Sequence, residues 1–213
     1  LFPYTTLFRS LADLRPVEIY AMIQLGLESQ YISLKDTVKL QFGSDYDYND
    51  VTQKVLISEQ TVFNGETYVD TEVPLFDEDR DFVLAVDYKF DSASPQSSVM
   101  FQCYQNDGVN GFRLWNNGGA KVSWGTSSTN AGNFGGREMC VIRHIKGETG
   151  IHVYGSNLSG SASTYIELTK NRATSTNATL VFGCSKADDG AYEDYATGAV
   201  YWSKLWYADL GDK

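Results

Sequence analysis

From Thr61 onward, short runs of alternating apolar and polar residues recur along the chain, separated by clusters rich in Gly, Asn and Asp. Period-two alternation sends successive side chains to opposite faces of an extended backbone, so each run predicts a β-strand with one apolar face. The runs fall near 67–73, 81–90, 97–105, 111–116, 120–124, 138–146, 150–155, 163–169, 178–184 and 198–207. In 81–90, Phe82, Leu84, Val86, Tyr88 and Phe90 alternate with Val83, Ala85, Asp87 and Lys89, which predicts a central strand. Val99, Phe101 and Cys103 are expected on one strand face, and Leu180, Phe182 and Cys184 on another, both feeding the same core. Asn106-Asp107-Gly108, Asn116-Asn117-Gly118-Gly119, Lys146-Gly147-Glu148 and Asp188-Asp189-Gly190 lie between runs. Asn and Gly tolerate the positive φ that hairpin turns require. The expectation is an all-β chain whose residues 60–213 form a two-sheet antiparallel β-sandwich of the jelly-roll kind.

Upstream, 11–59 reads as a partial β segment with strands at 17–25 and 37–42, either the tail of another module or strands added to the main domain. Leu1 to Ser10 has no methionine and back-translates to a common sequencing adapter read in frame. It is therefore expected to be an assembly artefact on a gene truncated at its 5′ end, and takes no part in fold reasoning. Between 37–42 and the main domain, Asp45, Asp47, Asn49 and Asp50 could gather several oxygens around one hard cation such as calcium. The spacing departs from a helix-loop-helix calcium loop, because Asp50 stands at the sharp-turn glycine and Leu56 at the closing Glu. An Asx-rich solvated turn is the alternative. The stretch 45–51, DYDYNDV, resembles one in bacterial calcium-dependent adhesion domains.

Bulk properties narrow the partners. A net charge of −10 repels phosphate backbones and anionic lipid, so neither nucleic acid nor membrane insertion is expected. Cys103, Cys140 and Cys184 are odd in number, widely spaced and each within a strand-like run, which predicts buried free thiols, with a Cys103–Cys184 bridge as the alternative. The low-complexity stretch 126–136 reads as a long loop.

The order VFNGETYVDTEVPLF, DFVLAVDYKF, GFRLWNNG, MCVIRHIKGETGIHVY, LVFGC and TGAVYWSKLWYADLG, across 61–211, resembles the laminin-G or concanavalin A-like lectin/glucanase superfamily. It is especially similar to modules in tail and minor structural proteins of phages of gut bacteria. The most diagnostic part is the closing strand, where Gly198, Val200, Tyr201, Trp202, Lys204, Leu205 and Trp206 precede Asp209-Leu210-Gly211. The resemblance implies a concanavalin A-like sandwich in a virion or at a cell surface, meeting glycan or neighbouring modules. Fold alone does not choose between lectin, spacer and polysaccharide hydrolase or lyase.

Catalysis finds little support in the residues. Glycosidases on this scaffold carry Glu-x-Asp-x-x-Glu on a strand, whereas no Glu here is followed two positions later by Asp. Lyase chemistry would draw on Arg143, His144, His152 and Tyr154, but alternation sets Arg143 and His144 on opposite faces. A non-catalytic binding role remains the leading expectation. Sugar recognition favours flat aromatic rings beside Asn, Asp and backbone groups. Tyr104 with Asn106 and Asp107, Trp115 with Asn116 and Asn117, and Trp124 supply that chemistry near strand ends. Trp115 has the added support that Phe112 and Leu114 claim the core, whereas Trp124 shares a face with Val122. Asp188, Asp189 and Asp194 lie in the loop before the closing strand, where the resemblance to laminin-G relatives that hold calcium at a sandwich edge implies a second cation site, with an ordinary turn at Gly190 as the leading reading.

Overall fold

A computed structural model describes residues 51–75, 82–104, 111–124, 127–132, 134–144, 150–155, 164–167, 178–187 and 189–208. All regular structure among the described residues is β. In chain order the strands are β1 (Val51–Ile57), β2 (Thr61–Asn64), β3 (Val69–Pro74), β4 (Phe82–Phe90) and β5 (Val99–Tyr104). Next come β6 (Gly111–Asn116), β7 (Ala120–Trp124), β8 (Ser127–Gly132), β9 (Glu138–His144) and β10 (Gly150–Gly155). The series ends with β11 (Thr164–Glu167), β12 (Thr179–Phe182), β13 (Ser185–Lys186), β14 (Tyr192–Glu193) and β15 (Thr197–Ala208). No described segment is a helix long and apolar enough to cross a membrane.

Two large sheets and a two-stranded hairpin sheet of β13 and β14 account for the described strands. Sheet A runs β1-β15-β4-β9-β10-β11, with β2 also paired to β15, and sheet B runs β3-β12-β5-β6-β7-β8. Every pairing within them is antiparallel. The fold is thus the antiparallel β-sandwich that the alternation predicts. β4 lies between β15 and β9, and its Phe82, Leu84, Val86, Tyr88 and Phe90 all enter the core. Sheet B answers with Phe101, Cys103, Phe112, Leu114, Val122, Trp124, Leu180 and Phe182. Phe112 meets Phe82 at 6.1 Å and Phe101 edge-on at 6.3 Å between ring centroids. Burying each such side chain stabilises the fold by about 1.5–3 kcal/mol.

Some elements escaped the pattern. β1 lies inside the segment set apart as 11–59, yet its Val51 to Ile57 pair with Ala208 to Ser203 of β15. β8 falls in 126–136, read as a loop; only Ala131 reaches the core, and the strand exists through its backbone ladder to β7. A bulge between Val99 and Phe101 turns Val99 away from the core face and admits Met100 in its place. The expectation that Val99, Phe101 and Cys103 share one face is corrected accordingly. Trp202, despite its place in the closing strand, stands opposite Asp87 on the outer side of sheet A and is nevertheless buried. There Asp87 accepts from Arg137 Nε at 2.8 Å, and that guanidinium also covers the Tyr201 ring at 4.0 Å.

The cysteines are free and buried. Burial pushes the Cys140 thiol far above its ordinary value and Cys184 up to about 12. All three should resist iodoacetamide at pH 8 in the native state and react in denaturant; native labelling at any of them, read by mass spectrometry, would contradict this packing.

Gly183 shows how tightly the β12–β13 connection is held. Its φ is +86°, and an added Cβ would overlap the Phe63 ring and lie 2.8 Å from the Thr67 carbonyl oxygen. Gly118 also has positive φ, +68°, but open space around it. Gly118→Ala should therefore cost about 1–2 kcal/mol of backbone strain. Gly183→Ala should cost roughly 3 kcal/mol or more, since strain and overlap add. Equal losses in urea melts of the two variants would show that the overlap is relieved freely.

Candidate functional site

Since the inward positions of sheet B are taken by the core, its alternate positions form a continuous outer face. One row crosses all six strands in register: Asp70, Val181, Gln102, Arg113, Ser123 and Ser128. The adjacent row brings Val99, Trp115, Lys121 and Asn130 together. The Arg113 guanidinium lies over the Trp115 ring, 4.3 Å from its centroid, which fixes the half-buried indole by a cation–π contact.

Among the described residues, Gln102 Oε1, Trp115 Nε1 and Ser123 Oγ on this face are buried with no hydrogen-bond partner, as are Tyr88 OH, Thr197 Oγ1 and Trp202 Nε1 elsewhere in the fold. Gln102 is 2% exposed and Ser123 5%. An unanswered buried polar atom costs about 1–3 kcal/mol, so native proteins keep few of them. The first three lie on the neighbouring strands β5, β6 and β7.

A small hairpin of β13 and β14 reaches across the other half of the face. Gln102 Nε2 donates to the Lys186 carbonyl at 3.1 Å. Lys186 Nζ donates to Asp70 Oδ2 at 2.7 Å, and Tyr192 OH donates to the same oxygen at 3.0 Å. The Glu72 amide donates to Asp70 Oδ1 at 2.9 Å. Asp70 is thus a clasp that ties the hairpin to β3. Tyr68, exposed just before β3, stacks on Tyr192 at 3.9 Å with 22° between planes, and Tyr195 lies tilted 6.3 Å away.

The clasp has a defined electrostatic signature. Burial raises the Asp70 pKa, but the hydrogen bonds from Lys186, Glu72, Thr179 and Tyr192 outweigh it and hold the carboxyl below its usual 3.8. The Asp70 hydrogen bond raises Lys186 above its usual 10.5, and burial with Asp70 raises Tyr192 above 10.0.

The sequence-derived candidates distribute unevenly. Trp115 faces outward as alternation requires. Trp124 does not join it: it is 1% exposed, stacked between Phe112 and His144 in the core. The reason is register, because Trp124 pairs with Phe112 and both face inward. Asn116 is also committed internally, its Nδ2 donating to the Ser94 and Pro95 carbonyls at 2.8 Å each and its Oδ1 accepting from the Gly118 amide. Asn117 is half-buried in the same turn, its amide donating to the Gly119 carbonyl. Tyr104 ends β5, without a described side chain, and Asn106 and Asp107 lie outside the described residues. Asp45, Asp47, Asn49 and Asp50 also lie outside them. Among the described residues no group of His, Cys, Asp and Glu has metal-holding geometry. Sequence reasoning missed Gln102, Arg113 and Ser123, whose only signal was alternation opposite Phe101, Phe112 and Val122. It also missed the Tyr68, Asp70, Lys186 and Tyr192 group, which no local spacing brings together.

Comparison with known proteins agrees on architecture. No family profile matches the chain, and no curated protein matches it. Among solved structures, the carbohydrate-binding module CBM40 of Ruminococcus gnavus IT-sialidase, bound to alpha2,3 sialyllactose, is 13% identical with a TM-score of 0.52. The match covers 76% of this chain and 94% of that module. Domain 4 of AbnA, an extracellular GH43 arabinanase from Geobacillus stearothermophilus, in complex with arabinotriose, is 10% identical with a TM-score of 0.50, over 74% of this chain and 82% of that domain. NanB, a sialidase of Streptococcus pneumoniae, matches at 12% identity and a TM-score of 0.52, over 71% of this chain. The chain spans only about a quarter, 26%, of NanB. The fold is therefore the jelly-roll-like β-sandwich that carbohydrate-binding modules of larger enzymes also use.

The clasp makes a pH prediction. Asp70, depressed in the folded state, contributes stability that is present well above pH 3.8 and is lost as pH falls through its folded value. Lys186 and Tyr192, both raised, contribute below 10.5 and 10.0 respectively and are lost as pH rises through their folded values. Asp70→Asn should cost roughly 1–2 kcal/mol at neutral pH, a gap that narrows towards both extremes in denaturant melts. A pH-independent gap would rule out a charged clasp.

Proposed function

We propose that the chain is a non-catalytic glycan-binding module of a phage structural or bacterial surface protein, and that the outer face of β5–β7, centred on Trp115, meets the sugar. The observation that carries this reading is the half-buried Trp115 indole on the outer face, held in place by the Arg113 guanidinium 4.3 Å from its ring centroid. A sugar presents hydroxyls that both donate and accept, alongside apolar C–H faces that pack on aromatic rings. The half-buried Trp115 ring on this face supplies the flat aromatic surface on which such a C–H face packs.

Two further observations support the reading. Solved modules of this architecture are bound to sialyllactose and to arabinotriose, so the sandwich accommodates saccharides as ligands. The chain also lacks the strand-borne Glu-x-Asp-x-x-Glu of hydrolases on this scaffold. The virion or cell-surface setting rests on the resemblance of 61–211 to phage tail modules. Asp45, Asp47, Asn49 and Asp50 would hold calcium as a structural ion.

A glycan array probed with the wild-type chain and Trp115→Ala, with and without EDTA, tests these assignments. Saturable binding is expected for the wild type, weakened about tenfold or more by Trp115→Ala. Unchanged binding in that variant would displace the site, and release of reducing or unsaturated ends from any bound glycan would overturn the non-catalytic reading. A melting temperature indifferent to both calcium and EDTA would remove the calcium assignment.

A further inference from the structure

We infer that Tyr68, Tyr192 and Tyr195 form a second sugar platform at the β3 edge, separate from Trp115; this rests on the glycan-binding reading and extends it to two contact sites. Three large apolar or aromatic residues stand exposed among the described residues, Val55, Val62 and Tyr68. Tyr68 is the aromatic one, 41% exposed, and it does not stand alone. One of its faces lies on Tyr192 at 3.9 Å, and Tyr195 flanks it at 6.3 Å with its plane tilted by 57°. The group therefore presents a broad ring surface with a second ring at an angle to it.

The platform is rigid for a reason. Tyr192 sits on the two-residue strand β14, and its hydroxyl donates to Asp70, which also receives Lys186 Nζ. Lys186 Nζ additionally lies 5.6 Å from the centre of the Tyr192 ring. Asp70, engaged through both oxygens, is a positioning residue here and not a sugar contact. A packed pair of tyrosines loses little freedom when a ligand arrives, so stacking is retained as affinity. Core packing does not account for the arrangement, because Tyr68 lies outside the core and neither Tyr192 nor Tyr195 belongs to it.

The two sites are distinct but mechanically connected. Asp70 and Arg113 occupy the same row, three strand spacings apart, about 14 Å at ~4.8 Å per strand. The hairpin lies between them, with the Lys186 carbonyl accepting from Gln102. Two ring contacts about 14 Å apart imply as ligand class a branched or repeating surface glycan that offers several rings at once. Two weak contacts on one such polymer raise avidity well beyond either alone.

The test labels the chain with 3-fluorotyrosine and 5-fluorotryptophan, assigns Tyr68, Tyr192 and Trp115 by Tyr→Phe and Trp→Phe variants, and follows fluorine NMR during titration. The probes are the methyl glycosides of glucose, galactose, N-acetylglucosamine and N-acetylneuraminic acid, each taken to about 10 mM, where contacts of millimolar affinity become visible. Saturable shifts are expected at Tyr68 and Tyr192, persisting in Trp115→Ala, abolished at Tyr192 by Tyr68→Ala and retained there in Tyr68→Phe, which keeps the ring. Shifts at Trp115 alone would overturn the second platform and leave the proposed function standing. Shifts at the tyrosines alone would support the platform and overturn Trp115 as the centre of the function. Silence at every labelled residue would overturn both.

Discussion

The structure depends on a single constraint: two sheets must fill one shared interior from alternate positions of their strands. β4 shows its strength, because five inward side chains from Phe82 to Phe90 occupy the middle of sheet A while β15 and β9 pair along both sides. Once those positions are committed, their neighbours have no freedom to choose a side. Val83, Ala85 and Asp87 must face away from the core, as must Gln102, Arg113, Trp115 and Ser123 on sheet B.

The outer face of sheet B follows from that constraint. Core residues Phe101, Phe112, Leu114 and Val122 anchor the strands, so the outward side chains between them are held at fixed spacing without contributing to the core. This allows polar atoms such as Gln102 Oε1 and Ser123 Oγ to remain unanswered within the fold, at a cost that the packing beneath them offsets. The hairpin of β13 and β14 adds a second device. It covers Val181 and Gln102, carries Tyr192 towards Tyr68, and is held by the Asp70 carboxylate together with the Gln102 amide.

Much of this architecture is legible in the amino-acid sequence. The strands over 81–90, 111–116, 120–124 and 150–155 stand within a residue of where alternation puts them, because both their faces carry strong apolar or polar signals. The outward placement of Trp115 is legible for the same reason. β8 is not, since SSTNAG buries little and owes its existence to the β7 backbone. The misplacement of Val99 has an equally definite source: alternation assumes a regular ladder, and a single inserted residue at a bulge reverses it.

The sequence by itself determined the all-β class, the identity of the core strands and the sidedness of most residues in them, because period-two patterning is a local property of an extended chain. Only the tertiary structure decided which strands are neighbours, and with that which outward residues meet. Asp70 and Lys186 are 116 positions apart, yet they share a hydrogen bond, and Gln102 reaches a carbonyl 84 positions away. Such pairings arise from sheet order and from the path of a short hairpin across a face, which depend on the packing of the whole sandwich and leave no periodic trace in the chain.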